Sequence, residues 1–339
     1  MNSKKKLALV KQFIEQGFGR RRIAKVLEIT EWEARGLMAK AVGVKKKRKR
    51  GTQYTDTKVD ANRLELIRNN SSKNPTTVQV VSSASQDTAP NKLDTYTANL
   101  KVAVLSDIHY PYEDEKSELL TKNFLSDYKP DIIILNGDIT DCYSISSFSK
   151  DIKKKMDIQE ELDYGRIKLQ EWTNLFPETD IKYLEGNHEN RFSRLIKNNA
   201  PALASLRTLN IEENLNLKDM GIEWIPEWQD LQIGNIMFIH GHMVRKHGGG
   251  TARAHFEKYG CSLLLGHCHR ASVTYKRNKF GTHALIENGC LCDFDIEYAR
   301  FPDWHQGFTT LDFDGNDFSV NQYLITNHKL IANGKVYTI

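Results

Sequence analysis

Short apolar runs recur along the chain, each stopped by a glycine or a polar residue. Residues 102–105 run up to Asp107, 132–135 to Asp138, 181–184 to Asn187, 236–239 to His240, and 263–265 to His267. Runs this short and this rich in Val, Ile and Leu read as buried strands ending in loops. The polar residues behind them should converge at one rim of a sheet. Between the runs, 113–128, 157–176 and 191–206 have helical spacing of apolar positions, so strands and helices alternate and the class is α/β. Beyond the last run, 272–276, 283–286 and 307–313 read as strands of a second sheet. The tail reads as a hairpin, 323–331 with 335–339, turning about Asn333 and Gly334.

The first part of the chain follows a different pattern. Leu7, Val10, Phe13 and Ile14 share a helical face before Gly17; Ile23, Val26 and Leu27 repeat it; Thr30 and Glu33 form a capping box for a third helix with Leu37 and Met38. The stretch from Gly17 to Met38 resembles a helix-turn-helix, with Ala24 in the tightly packed second helix. It departs from that pattern at Glu28, where glycine is usual, and at Glu31 and Glu33 on the helix that would face phosphates. A helical adaptor that binds protein is the other reading of this stretch. From 51 to 99 the chain is rich in Ser, Thr, Asn, Gln and Asp, as a flexible linker would be, with one short helix expected over 62–68. The expected domains are therefore a basic head over 1–50, a linker over 51–99, a catalytic body over 100–312 and a hairpin extension over 313–339.

Charge sharpens the division between head and body. The 339 residues carry a formal +5, but residues 1–50 hold ten Lys and six Arg against four Glu, a local +12 that leaves −7 for the rest. Lys45, Lys46, Lys47, Arg48, Lys49 and Arg50 form an unbroken cationic run that would neutralise phosphates without reading sequence. No apolar run approaches the roughly 18 residues that a membrane span needs, and no signal-peptide pattern opens the chain. The expected location is cytoplasmic, with no membrane partner. Five cysteines without paired Cys-x-x-Cys spacing point to reduced thiols, neither a disulfide framework nor a zinc ribbon.

The polar stops carry the chemistry. In order they are Asp107-Ile-His109, Gly137-Asp138-Ile-Thr-Asp141, Gly186-Asn187-His188-Glu189, His240-Gly-His242 and Gly266-His267-Cys-His269. Carboxylate oxygen and imidazole nitrogen in this mixture suit two divalent cations held close together. The series resembles the calcineurin-like metallophosphoesterases over 100–312, which implies a four-layer sandwich of two central sheets flanked by helices. The resemblance implies that Asp107, His109 and His269 bind one ion, that Asp138 bridges, and that Asn187, His240 and His267 complete the second. It also implies hydrolysis by in-line attack of a hydroxide held between the ions, with His188 as general acid and Asp141 as its orienting partner. Manganese is the first expectation for the ions, with iron, zinc and nickel open.

Substrate contacts are less constrained. Arg191, Arg270 and His242 stand beside the motifs and could hold phosphate, and His242 could exchange roles with His240; Glu189 reads as a brace. The basic head favours DNA or RNA as substrate, making the chain a nuclease-like phosphoesterase. Two alternatives stand: a protein or small-molecule phosphatase that the head only targets, and a non-catalytic nucleic-acid-binding or regulatory protein.

Overall fold

The computed structural model describes residues 99–147, 156–294 and 302–339, the strands at 77–82 and 94–95, and residues 9–11, 26, 27, 29 and 37. The three-helix reading of the head, the run from Lys45 to Arg50 and the helix over 62–68 lie outside these residues, apart from the few positions named. The chain divides into two units, Met1–Asn70 and Ser71–Ile339. The elements below belong to the second.

In chain order its strands and longer helices are β1 (Thr77–Ser82), β2 (Asp94–Thr95), β3 (Lys101–Leu105), α1 (Glu115–Tyr128), β4 (Ile132–Asn136), α2 (Ile158–Leu175), β5 (Asp180–Leu184) and α3 (Asn187–Asn199). There follow α4 (Ile211–Asn214), β6 (Glu223–Ile225), β7 (Gln229–Ile233), β8 (Ile236–Ile239), α5 (Gly250–Tyr259) and β9 (Ser262–Leu265). The remainder is all strand: β10 (Ala271–Asn278), β11 (Gly281–Asn288), β12 (Gly307–Asp314), β13 (Asp317–Thr326), β14 (Lys329–Ala332) and β15 (Lys335–Thr338).

Two sheets result. One has eight strands in the order β15-β14-β13-β12-β3-β4-β5-β6, and the other seven in the order β10-β11-β9-β8-β7-β1-β2. Their facing sides share a core in which Val102, Val104, Ile132 and Ile134 meet Leu231, Ile233, Phe238, Leu264 and Ile286. On the outer side of the eight-stranded sheet, Leu105, Ile133 and Tyr183 pack with Leu120 and Phe124 of α1 and Leu169 and Trp172 of α2. On the outer side of the other, Met237, Leu263 and Leu285 pack with Ala252 and Phe256 of α5. The expected four-layer α/β sandwich is present. Strands β3 to β6 are mutually parallel, as are β8, β9 and β11, and β3, β4, β8 and β9 are covered on both sides, hence their unbroken apolar runs.

Local chemistry sets the boundaries. Asp114 caps α1 by accepting from Ser117 N, and Asp157 with Glu160 forms a reciprocal capping box at the start of α2. Two asparagines stitch the sheets together. Asn136 at the end of β4 donates to Ile239 O of β8 at 3.0 Å, and Asn288 at the end of β11 donates to Val104 O of β3 at 3.1 Å.

Four expectations need correction. The polar stops rise from two sheets: β3, β4 and β5 in one, β8 and β9 in the other. Gly307–Asp314 belongs with β3 in the eight-stranded sheet, where Leu311 pairs with Val102. Thr77–Ser82, inside the expected linker, is a strand paired with β7, and its valines at 78, 80 and 81 suit that role. The tail is three strands, because Asn327 and His328, both at φ 52°, turn the chain between β13 and β14 as Asn333 and Gly334 turn it between β14 and β15. It extends the eight-stranded sheet.

Candidate metal centre

The motif loops leave the C-terminal ends of the parallel strands, where open α/β sheets place their ligands. Five of the expected ligands have left-handed backbone: Asp107 (φ 54°), His109 (59°), Asp138 (52°), His267 (66°) and His269 (57°). Such residues are uncommon and strained, at about 1–3 kcal/mol each. Something must fix the loops against that strain. Glu189, fully buried on the first turn of α3, accepts from the backbone N–H of Asp138 (3.0 Å), Ile139 (2.7 Å), Thr140 (2.9 Å) and Gly186 (2.9 Å) and from the Tyr183 hydroxyl (2.7 Å). It clamps the loops bearing Asp138 and Asn187 together, the bracing role read from the sequence. Glycine is required where those loops touch: a Cβ at Gly137 would enter the His240 ring, and one at Gly266 would stand 2.7 Å from Asp107 Oδ2.

All seven expected ligands meet. Asp107, His109 and His269 bring one ligand atom each to within 4.8 Å of one another, and so do Asp138, His240 and His267. Asn187 Oδ1 stands 3.1 Å from His240 Nε2. Asp138 also groups with His109 and His188, which places it between the two sets.

The donor set fits two cations. His240 Nδ1 lies 2.9 Å from the Asn136 carbonyl and donates to it, so in the neutral ring Nε2 presents a lone pair. Nε2 faces Asp138 Oδ2 at 3.2 Å and Asn187 Oδ1 at 3.1 Å, a point that takes a proton in the bare chain and a metal ion in its place. The other set repeats the arrangement: His109 Nδ1 is held by Asp141 Oδ2 at 3.0 Å, and its Nε2 faces His269 Nε2 at 3.2 Å. A positive charge at each point satisfies all of these atoms. Imidazole and carboxylate together suit borderline divalent ions.

Charges follow the same geometry. Burial works against the anions, yet His188 and His240 hold Asp138 well below the usual carboxylate range, and His109 and His188 hold Asp141 below it too. Burial also disfavours a charged His240, but Asp138 outweighs it and lifts the imidazole to about 10. His267 goes the other way: burial and then the neighbouring His240 push it down to about 4, leaving it neutral.

Asp141 and His188 meet differently from the expected pairing. The Asp141 carboxylate orients His109, while its backbone carbonyl takes the His188 Nδ1 proton at 3.0 Å. The nearer Asp141 carboxylate oxygen to His188 Nδ1 is at 3.5 Å. Arg191 closes the group, donating to Asp141 O at 2.9 Å and to His188 Nε2 at 2.8 Å.

The other substrate candidates separate. Arg270 binds Asp303 (2.7 Å) and the Arg245 carbonyl (2.6 Å), so it braces a loop. His242 is exposed, with Nε2 3.1 Å from Lys258 Nζ, and it is His240 that reaches Asp138. Sequence reasoning missed Cys292. Its Sγ lies 3.9 Å from His269 Nδ1, and a hydrogen bond from Cys290 is the main cause that lowers its thiol to about 5. The Cys-Leu-Cys spacing at the end of β11 was the available signal. None of the five cysteines is joined in a disulfide.

Comparison with known proteins agrees with this geometry. Residues 100–308 match the family model described as calcineurin-like phosphoesterase. The chain belongs to that family and is a metal-dependent phosphoesterase, a hydrolase that uses divalent ions on a phosphoester substrate. The Gene 54 protein of Mycobacterium phage D29 is 25% identical over 253 residues, covering 70% of this chain and 99% of its own length. The Gene 54 protein of Mycobacterium phage L5 is 23% identical over equal shares. Among solved structures, vacuolar protein sorting 29 from Cryptosporidium parvum covers 71% of this chain and 95% of its own, with 16% identity and a TM-score of 0.39. Vps29 from Chaetomium thermophilum covers 70% and 91%, with 14% identity and a TM-score of 0.39. Among the described residues, no helix is long and apolar enough to cross a membrane.

Proposed function

We propose that the chain hydrolyses phosphodiester bonds in nucleic acid, by in-line displacement at phosphorus, at the centre around Asp138. The observation that carries the hydrolytic part is the gathering of carboxylate, amide and imidazole ligand atoms on both sides of Asp138, a set suited to a pair of cations. Asp107, His109, His269 and Asp138 would hold one ion; Asp138, Asn187, His240 and His267 the other. When bound, manganese or a similar pair of ions supplies charge opposite the phosphoryl oxygens and acidity to water. The +12 head over residues 1–50 supports a polyanionic substrate.

The chain's own groups account for the leaving oxygen. With Nδ1 fixed on the Asp141 carbonyl, His188 keeps Nε2 for the active site, where Arg191 now donates to it. Substrate phosphate competes for the Arg191 guanidinium, a fork suited to its oxygens. Once Arg191 turns to phosphate, His188 Nε2 can carry a proton and deliver it to the departing alkoxide. Asp138 receives the His188 backbone N–H at 2.8 Å, which keeps acid and ligand in register.

A small-molecule phosphatase is the second reading, favoured by the carboxylates of Glu185, Glu227 and Asp230 in the cleft beside Asn187, which repel a long polyanion. A substrate panel of phosphomonoesters, diesters, DNA and RNA, with Mn and with chelator, decides between them. Nuclease activity should appear with Mn, vanish with chelator and in Asp138→Asn, and lose its salt dependence when residues 1–70 are removed. Hydrolysis of monoesters with no cleavage of single- or double-stranded DNA or RNA under several metals refutes the nucleic-acid reading.

A further inference from the structure

One cavity adjoins the centre and a second continues from it, and their lining has a use beyond the ions. One of ≈ 90 Å³ has Asn187 and His240 in its wall, together with Glu185 and Glu227. The other, ≈ 490 Å³, shares Glu185, Pro226 and Glu227 with it and continues past Trp224, Trp228 and Ile196. A space of that size falls within the roughly 300–1,000 Å³ of small-molecule sites. It reaches Asn187 and His240 by way of the smaller cavity.

The chemistry of the wall selects an occupant. Trp228, 55% exposed, is part of the cavity lining, and an indole can stack with any nucleobase. At the neck the groups are acidic. Glu185 is buried and accepts from Glu227 N at 3.0 Å, while Asn190 Nδ2 donates to Glu227 Oε2 at 2.9 Å and to Glu185 Oε1 at 3.3 Å. Two carboxylates there repel a further phosphate and accept hydrogen bonds from amino groups.

We propose that the larger cavity is a nucleobase subsite, taking the base attached to the phosphate at Asn187 and His240, stacked on Trp228 with its amino group toward Glu185 and Glu227. This rests on the phosphoesterase reading of the centre and names the substrate side it would recognise. Adenine, cytosine and guanine carry an exocyclic amino donor; uracil and thymine do not. The subsite therefore prefers the first three.

Equilibrium dialysis of the full-length, metal-free protein against adenosine, cytidine and uridine tests the subsite without any phosphoester. Adenosine and cytidine should bind about tenfold or more tighter than uridine. Trp228→Ala should weaken adenosine about tenfold or more, and Glu227→Gln should shrink the preference for adenosine over uridine. Phe280→Ala, an exposed aromatic on the turn between β10 and β11, should leave nucleoside affinity unchanged. Both test residues are exposed at the surface, and unchanged thermal midpoints confirm that the variants fold. The proposal is overturned if no nucleoside binds saturably, if Trp228→Ala binds adenosine as wild type does, or if uridine binds as tightly as adenosine. Because nucleosides lack phosphate, binding without DNA or RNA cleavage removes only the nuclease reading, and cleavage without binding removes only the subsite.

Discussion

Replacing Glu189 by glutamine changes one atom and tests how the metal loops are held. The carboxylate accepts three bonds on Oε1, from Ile139 N, Thr140 N and the Tyr183 hydroxyl, and two on Oε2, from Asp138 N and Gly186 N. The glutamine oxygen can serve only one group of donors. Its better orientation keeps the three and turns its NH2 toward the other two, which lose their acceptor in a fully buried place. At about 1–3 kcal/mol for each unsatisfied donor, the substitution should destabilise the fold by about 2–6 kcal/mol. That is a large part of a typical total of about 5–15 kcal/mol. The two orphaned donors belong to Asp138 and to the residue before Asn187, so metal affinity should fall as well, by about 10–100-fold. Urea unfolding of the metal-free protein, followed by tryptophan fluorescence, reads the first effect, and titration with Mn reads the second. If Glu189→Gln unfolds within about 0.5 kcal/mol of wild type and binds Mn equally well, the clamp argument fails.

Three further outcomes follow from the same geometry. In the metal-free chain His240 stays protonated up to about 10, and His269 is also raised well above its usual value, because Asp138 and Asp107 outweigh burial. Ion binding at pH 7 should therefore expel about one proton from each set, and apparent affinity should rise with pH and flatten above His240's value; calorimetry in buffers of different ionisation enthalpy measures it, and zero release refutes it. Asp141→Asn should lower Mn affinity about 10–100-fold, because the His109 ring loses a charged partner; unchanged affinity by titration would show that Asp141 does not orient this ring. Cys292→Ala should weaken metal binding about tenfold by freeing the His269 ring, whereas Cys261→Ala, away from the motif loops, should not; equal affinities in the same titration remove the thiol from the centre.

The sequence exposed the strands and the polar loops behind them because both obey local rules: an apolar run marks a strand covered on both sides, and the polar stop marks the loop; the ligand roles came from the family resemblance. It could not assign strands to sheets. Residues 132–135 and 263–265 look alike as runs, yet they lie in different sheets, and only long-range pairing decides. The strand at 77–82 was hidden by polar surroundings, and the turn at Asn327-His328 by a histidine in a conformation usually marked by glycine. Helix α3 starts at Asn187 rather than near Arg191, because Glu189 at its third position serves the N-terminus, a capping signal visible in Gly186 to Glu189. The Asp141 pairing was half legible. The family resemblance paired it with His188, but which imidazole receives the carboxylate depends on side-chain placement in three dimensions.

Each ligand set draws on both sheets: Asp107 and His109 with His269, and Asp138 and Asn187 with His240 and His267. The ions would then act as rivets through the sandwich. A folding intermediate with one sheet formed offers only part of either set, so tight metal uptake becomes a signature of completed assembly. With ions bound, shear between the sheets would have to break coordination as well as the shared core, which would slow unfolding of the holoprotein.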